Sequence, residues 1–336
     1  MADRSTEEDQ TNAAARRQGG EFVRGVSGFR GRIGDAEFPP QSGRYHLFVA
    51  LNCPWCHRVT LARSVLGLTD AITMDVAFPN RTGDDDPVAP NLWTFAPDRV
   101  ASLTGATLPE CTPETGTGQG LRLAKQIYQA EGSDEQSLPV LYDKIAGRIV
   151  NNESAEILRM FDANAAQLGA PADRPWLYPD DPAIRDEIDA LNDLTYAAIN
   201  NGAYKAGFSS DQAVYAAAYT AYFDALEVLD RRLSDGRAFL VGDKFTEADL
   251  RLFPTLYRHD PVYTLRMKLN GARILDYPYL WRWLCRVYAL PGIREAGSLV
   301  HCRQGYFGRS WNGVVPLGPM VPMSYPEAYD HPELAG

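Results

Sequence analysis

The fold is decided by residues 45–58, YHLFVALNCPWCHR. This stretch begins as an apolar run of strand length and breaks at Cys53-Pro54, after which residues 54–67 have the pattern of a helix. Proline suits the first helical position because its missing N–H would have had no partner there. Cys53 is therefore predicted at or just before a helix N-terminus, where unpaired amides and the helix dipole favour a nucleophilic thiolate.

Cys53 and Cys56 form a C-x-x-C pair at this junction of strand and helix. Within a βαβ pattern such a pair is typical of a reactive redox cysteine, here Cys53. With His57 the motif also matches covalent haem attachment, but it lies inside a strand–helix unit. No second Cys/His pair has zinc-site spacing, so we predict no metal. Two buried, inert thiols remain the alternative.

Composition excludes several classes of protein. The 336 residues carry a net charge of −10, which disfavours nucleic acid and anionic membrane surfaces as partners. Five cysteines are too few for a disulfide framework in a chain of this length. The N-terminus shows no signal peptide, and no apolar run approaches membrane-spanning length. We expect a soluble, cytoplasmic protein.

The chain divides into two domains and two flanking segments. Residues 1–44 are predicted as an N-terminal arm, and residues 45–165 show the order βαβαββα of a mixed sheet with packed helices. Within that domain, residues 78–118 are predicted as a long functional loop around Trp93. Strand signals stop after the Pro-rich linker, and residues 180–302 are predicted to be all helical. Residues 303–336 form a tail expected to dock on the body.

Leu138-Pro139 opens a predicted strand, where proline is unusual. A proline at that position can simply mark an edge strand. Together with the C-x-x-C motif, however, it suggests a cis peptide bond, which leaves the backbone N–H and C=O of the preceding residue facing a ligand. A peptide-like thiol could pair with those backbone groups.

Glu153-Ser154 lies at a predicted helix start, with Asn or Ser expected as the cap. The hydroxyl and amide donors of Ser154 suit a carboxylate, and Glu153 suits an ammonium group. A γ-glutamyl moiety carries both groups. An ordinary helix cap is the simpler alternative for these two residues.

Several tyrosines, among them Tyr196 and Tyr306, are most simply core or surface residues. A phenol is also a hydrogen-bond donor and a weak acid, so it suits an aromatic substrate that carries oxygen. The histidines show no arrangement like a catalytic triad, and we interpret them as structural.

The sequence resembles one known family over about residues 22–320. The motifs that carry the resemblance are GRYHL (43–47), CPW (53–55) with HR (57–58), WTF (93–95), LPVLYDK (138–144), NES (152–154), NNGAYKAGF (200–208), TEADLRLF (246–253), DPVY (260–263) and GVVPLGP (313–319). The family is the xi-class glutathione transferases, the glutathionyl-hydroquinone reductases. The resemblance implies a thioredoxin-like N-terminal domain, an all-helical C-terminal domain and a homodimer.

The resemblance also implies a reaction without a tightly bound cofactor. Cys53 would attack the sulfur of a glutathionyl-hydroquinone, release the hydroquinone, and hold a mixed disulfide that a second thiol resolves. Glutathione or a related low-molecular-weight thiol would be the co-substrate. By position, the quinol would face Tyr196 and Tyr306. The thiol would be held by Trp93, Leu138, Pro139, Val140, Glu153 and Ser154.

Two departures from the family pattern stand out. Cys56 replaces the usual alanine, so it could resolve the mixed disulfide internally. The segment before Pro139, residues 133–137, reads SDEQS and lacks the usual glutathione-binding arginine. An acidic side chain in this segment would repel the carboxylate of the glycine residue of glutathione. The thiol substrate could therefore be γ-glutamylcysteine or mycothiol instead. The rival functions are a dithiol–disulfide oxidoreductase using both cysteines and a non-catalytic, partner-binding protein with this fold.

Overall fold

The computed structural model describes residues 16–82, 91–104, 117–308 and 314–316. The acidic run 84–86, Cys111 and most of the predicted tail lie outside these ranges. The strands are β1 (Arg16–Gln18), β2 (Glu21–Val23), β3 (Tyr45–Val49), β4 (Thr73–Val76), β5 (Val140–Asp143) and β6 (Arg148–Asn151). The α-helices are α1 (Pro54–Val65), α2 (Pro97–Thr104), α3 (Ala124–Gln129), α4 (Ser154–Ala163), α5 (Ala165–Leu168), α6 (Pro182–Thr195), α7 (Asn201–Phe208), α8 (Gln212–Leu233), α9 (Glu247–Arg258), α10 (Thr264–Arg266), α11 (Pro278–Ala289) and α12 (Leu299–Phe307).

The chain forms two compact units. The first includes Arg24–Arg174 and Gly297–Val315, so it contains the β3–β6 sheet and α12. The second includes Arg17–Val23 and Pro175–Ala296. No helix in the part of the chain that the structure describes is both long enough and apolar enough to cross a membrane.

The sheet of the first unit has the strand order β4-β3-β5-β6. Strand β3 pairs in parallel with β4 and antiparallel with β5, and β5 pairs antiparallel with β6. Every residue of β3 is buried, which explains its continuous apolar pattern. Helices α1 and α4 pack against each other beside this sheet. The predicted thioredoxin-like architecture is confirmed.

The second unit is built almost entirely of helices, as predicted. Its helix α9 begins with a capping box in which Thr246 and Asp249 satisfy each other's backbone amides. The Asp249 carboxylate is buried and also accepts hydrogen bonds from Leu240 N at 2.8 Å and from Trp283 Nε1 at 2.8 Å. The Asp249 side chain therefore forms hydrogen bonds with the start of α9, with the preceding loop and with α11.

Three local predictions are wrong. Helix α2 lies inside the predicted 78–118 loop, because Pro97 and Asp98 form an ordinary helix start within a Pro- and Thr-rich stretch. The apolar pattern of residues 119–131 predicts a helix over that whole range, but the helix begins only at Ala124, since Gly120 takes φ of +64° and Leu123 is extended. The sequence also predicts one continuous helix over 181–200, but α6 ends at Thr195 and the chain continues through a π-helical turn, Tyr196–Asn200, into α7.

Candidate active site

Cys53 is the N-cap residue of α1, and its side chain is partly exposed. Its backbone N–H donates to the Ala50 carbonyl at 2.9 Å, and its own carbonyl accepts from His57 N at 3.0 Å. Pro54 occupies the first helical turn, as its chemistry requires. The predicted position of Cys53 at a helix start is confirmed.

The pKa of the Cys53 thiol is lowered from 9.0 to about 6. The largest cause is a hydrogen bond from the Cys56 side chain, and burial opposes it. The backbone amides of Cys56 and Trp55 and the positive charge of Arg24 lower this pKa further. At neutral pH most of Cys53 is therefore thiolate, the form that attacks sulfur. Sequence reasoning identified the helix start but not the leading contribution of Cys56.

Cys56 lies fully buried in the first turn of α1. Its Sγ accepts a hydrogen bond from the backbone N–H of Ala50 at 3.3 Å. The two sulfurs of the C-x-x-C pair therefore differ in access, with Cys53 facing outward and Cys56 facing the core. Among the residues that the structure describes, no group of three or more His, Cys, Asp or Glu side chains could hold a metal ion.

The Leu138-Pro139 peptide bond is cis, as predicted. The carbonyl oxygen of Leu138 lies 3.8 Å from Cys53 Sγ, so the backbone before the proline does face the nucleophile. Val140 follows at the start of β5, where it pairs with Phe48 of β3. The structure thus brings together the predicted group of Cys53, Leu138 and Pro139 at one end of the sheet.

Glu153 caps helix α4, so the prediction of Asn or Ser at that position is wrong. Its Oε1 accepts from Ala155 N at 3.2 Å, and its Oε2 accepts from the Ser27 hydroxyl at 3.2 Å. Ser154 is the first residue of the helix and is buried. The Glu153 carboxylate does the capping because Asn152, the predicted cap, is engaged elsewhere.

Asn152 connects the α4 start to the segment that lacks arginine. Its Nδ2 donates to Glu135 Oε2 at 2.7 Å and to the Tyr128 hydroxyl at 3.1 Å. The Glu135 carboxylate therefore lies next to the residues predicted to bind the thiol. The negative charge expected in residues 133–137 is therefore the Glu135 carboxylate, which the Asn152 side-chain amide positions by a hydrogen bond.

The N-terminal arm contributes to the site, which the sequence did not reveal. Besides the Ser27 contact with Glu153, the backbone N–H of Phe29 donates to Asn152 Oδ1 at 3.2 Å. Further along, Arg30 forms an ion pair with Glu156 of α4. Residues 24–31 thus run alongside β6 and the start of α4. An extended, Gly-containing stretch carries no periodic signal that would have predicted this.

Arg24 stacks its guanidinium on the ring of Trp55, with 3.7 Å between Cζ and the ring centroid. Its charge stabilises the Cys53 thiolate. We expect Arg24→Gln to raise the pKa of Cys53 and to slow its alkylation at pH 6 roughly two- to threefold, the effect of about 0.5–1 kcal/mol of Coulomb energy on a thiol that is half ionised at that pH. Arg24→Lys is the control, because it keeps the charge and should stay close to wild type. Equal rates for Arg24→Gln and wild type would contradict this role.

The remaining predicted site residues lie in both units. Trp93 is buried in the first unit, where its carbonyl accepts from Ala124 N at 3.1 Å and Arg81 lies 4.7 Å from its ring centroid. Tyr306 is half-buried on α12 of the same unit. Tyr196 belongs to the second unit, begins the π-helical turn and is 36% exposed. π-Helical turns are frequent at functional sites.

Helix α12 packs on the loop that carries the nucleophile. The Cys302 thiol donates to the Leu51 carbonyl at 3.6 Å. A Cβ built on Gly305 would lie 2.3 Å from Asn52 Nδ2 and 2.7 Å from Asn52 Cβ, so this contact needs glycine. Asn52 precedes Cys53, and Tyr306 follows Gly305. The close helix contact therefore places Tyr306 on the side of the first unit that carries Cys53.

Comparison with known families agrees with this fold. Residues 52–164 match the model described as "Glutathione S-transferase, N-terminal domain", and residues 212–286 match "Glutathione S-transferase, C-terminal domain". The thioredoxin-like unit, the helical unit and the helix-start cysteine together define a glutathione transferase.

Individual relatives show to which class of glutathione transferases the chain belongs. The chain is 36% identical over 315 residues to the glutathionyl-hydroquinone reductase PcpF of Sphingobium chlorophenolicum, with 91% of this chain and 92% of the relative covered. It is 37% identical over 329 residues to the glutathionyl-hydroquinone reductase YqjG of Escherichia coli, with 93% of each covered. The glutathione-bound structure of YqjG superimposes with a TM-score of 0.77, covering 90% of this chain and 96% of that one at 36% identity. The chain belongs to the xi-class glutathione transferases, the family of the glutathionyl-hydroquinone reductases.

Proposed function

We propose that this enzyme reductively removes a low-molecular-weight thiol from a thiolated hydroquinone. The observation that carries the proposal is the partly exposed Cys53 sulfur at a helix N-terminus, with a pKa of about 6. Such a sulfur is ionised at neutral pH and reachable by substrate. The relatives named glutathionyl-hydroquinone reductases support the choice of substrate class.

The reaction begins with attack of the Cys53 thiolate on the substrate sulfur. An S–S bond forms while the bond between that sulfur and the aromatic carbon breaks. The electron pair of the broken bond goes to the ring carbon, which takes up a proton and leaves as the free hydroquinone. The ring is thereby reduced by two electrons, and the two sulfurs are oxidised to a mixed disulfide.

The thiol is proposed to lie between the α4 start and the cis-proline backbone. Glu153 and Ser154 would take the γ-glutamyl ammonium and carboxylate groups, and the backbone of Leu138 and Val140 would pair with the peptide part. Trp93 and Pro139 would complete this subsite with apolar surface. Tyr196 and Tyr306 would hold the hydroquinone through phenol–oxygen hydrogen bonds.

Which low-molecular-weight thiol binds depends on the charge of the protein side chains around its subsite. Glutathione-bound structures of relatives support glutathione as the co-substrate. In this chain Glu135 lies beside the same subsite, where it would repel a second carboxylate such as that of the glycine residue. γ-Glutamylcysteine, which lacks the glycine, and mycothiol are therefore the competing candidates.

Product analysis with three conjugates tests the proposal. The enzyme is incubated with hydroquinone conjugated to glutathione, to γ-glutamylcysteine or to mycothiol, each with an excess of the matching free thiol. We expect stoichiometric free hydroquinone and the corresponding disulfide from at least one conjugate. Enzyme alkylated at Cys53 is the control and should form neither product. Absence of free hydroquinone with all three conjugates would overturn the proposed function.

Assembly and location are also proposed. We propose a homodimer, which the family resemblance supports, and a cytoplasmic location. Light scattering of the purified protein tests the first point, and a mass near twice the 37.2 kDa of the chain is expected.

A further inference from the structure

The backbone of one residue, Ala50, contacts both residues of the C-x-x-C pair. The carbonyl of Ala50 accepts from the backbone N–H of Cys53 at 2.9 Å. The N–H of the same residue, Ala50, donates to Cys56 Sγ at 3.3 Å. A backbone amide directed at a buried sulfur stabilises negative charge on that sulfur, because hydrogen bonds to the charged form favour ionisation. Cys56 therefore has a donor that an inert core thiol would not need.

The role of the Cys56 thiol changes during the reaction. In the resting enzyme it donates a hydrogen bond to the Cys53 sulfur, so Cys53 carries the charge. Once Cys53 is in a mixed disulfide, its sulfur is neutral and is a poor acceptor. The Ala50 amide and the helix N-terminus then act on Cys56 alone and favour its thiolate. The fold thus supplies the second nucleophile after the first one has reacted.

We propose that Cys56 resolves the mixed disulfide on Cys53, a step that rests on the proposed function and specifies its second half. The Cys56 thiolate attacks Cys53 Sγ, so that an S–S bond forms between the two cysteines. The bond from Cys53 Sγ to the bound thiol breaks, and that thiol leaves as a thiolate that takes up the proton lost by Cys56. Two equivalents of free low-molecular-weight thiol then reduce the internal disulfide and become oxidised to their own disulfide.

The geometry favours Cys56 over the other cysteines that the structure describes. Positions three residues apart face each other across the first helical turn. Cys302 is buried, and its thiol is directed at the Leu51 carbonyl. Cys285 belongs to the second unit, and burial raises its pKa to about 12, so it is a poor nucleophile. Cys56 alone among them has both a hydrogen bond to Cys53 and an amide donor on its own sulfur.

A single-turnover experiment without free thiol tests the proposal. Fully reduced enzyme is mixed with an equimolar amount of the glutathione conjugate of hydroquinone, quenched with acid, and analysed by intact mass and chromatography. For wild type we expect released hydroquinone, released glutathione and a protein lighter by two hydrogen atoms. For Cys56→Ala, which restores the usual family residue, we expect slower release of hydroquinone, because the Cys53 pKa is higher, and retention of glutathione as an adduct on Cys53 after the release is complete. Cys285→Ala is the matched control and should behave like wild type.

Persistence of the glutathione adduct in wild type, as in Cys56→Ala, would overturn this proposal while leaving the proposed function intact. If neither protein releases hydroquinone from the glutathione, γ-glutamylcysteine or mycothiol conjugate, the proposed function fails instead. Oxidised glutathione then serves as a second probe, since it loads the mixed disulfide on Cys53 by simple exchange. Wild type must convert this adduct to the internal disulfide and Cys56→Ala must retain it, or the proposal is wrong.

Discussion

Cys53→Ser is expected to lower the rate of hydroquinone release by about a thousandfold or more, as removal of an attacking nucleophile does in other enzymes. A serine hydroxyl is not ionised near neutral pH, so the helix N-terminus and the Cys56 hydrogen bond have no thiolate to stabilise. The mixed disulfide cannot form, and the electron pair needed to cleave the carbon–sulfur bond has no source. Steady-state release of hydroquinone, followed by chromatography, measures the effect.

The matched control for Cys53→Ser is Cys285→Ser, which changes a buried thiol of the second unit and should keep turnover near wild type. Cys56→Ser should also turn over when free glutathione is in excess, because the serine hydroxyl still offers a donor to the Cys53 sulfur and an external thiol can release the adduct. Loss of activity in both Cys53→Ser and Cys56→Ser would support the general dithiol oxidoreductase. Full activity of Cys53→Ser would contradict the proposed chemistry, and an inactive wild type would favour a partner-binding protein.

The second large effect is expected from Asp249→Ala, which should lower the free energy of unfolding by about 3–5 kcal/mol. The carboxylate accepts from Leu240 N, Thr246 N at 3.0 Å and Trp283 Nε1 in a fully buried setting. Alanine leaves these donors unpaired and removes half of the capping box of α9. Urea unfolding followed by far-UV circular dichroism measures the loss, because the helices of the second unit dominate that signal.

Asp243→Ala is the control for this measurement, since Asp243 is an exposed carboxylate in the loop just before α9. It should change the free energy of unfolding by less than about 0.5 kcal/mol. If Asp249→Ala were no more destabilised than Asp243→Ala, the buried hydrogen bonds of Asp249 would not support the helical unit as described.

The fold was predictable where one local signal decided the structure. The apolar run before Cys53 and the proline after it specify a strand followed by a helix, and the Thr246–Asp249 spacing specifies a helix start. Prediction failed where the local backbone conformation departs from the one that the apolar pattern indicates. The break at Thr195 into a π-helical turn and the short helix after Gly120 depend on backbone conformations that no periodicity encodes.

The site was predictable in its centre and less so around it. Cys53 and the cis bond before Pro139 follow from residue type and position. The contact of Arg24 with Trp55, by contrast, joins an irregular arm to a helix, and the Gly305 contact with Asn52 joins segments about 250 residues apart. Neither contact can be predicted from the spacing of residue types along the sequence.

Alkylation of Cys53 by iodoacetamide across pH 4 to 10, quantified on the Cys53 peptide by mass spectrometry, tests the central claim most directly. Because only the thiolate reacts, the rate should rise with pH, reach half its maximum at about pH 6, and be flat near pH 8. Cys56→Ala should move this midpoint upward, since it removes the leading cause of the low pKa. A wild-type midpoint near pH 9, or a Cys53 that resists alkylation at every pH, would contradict an ionised and reachable nucleophile.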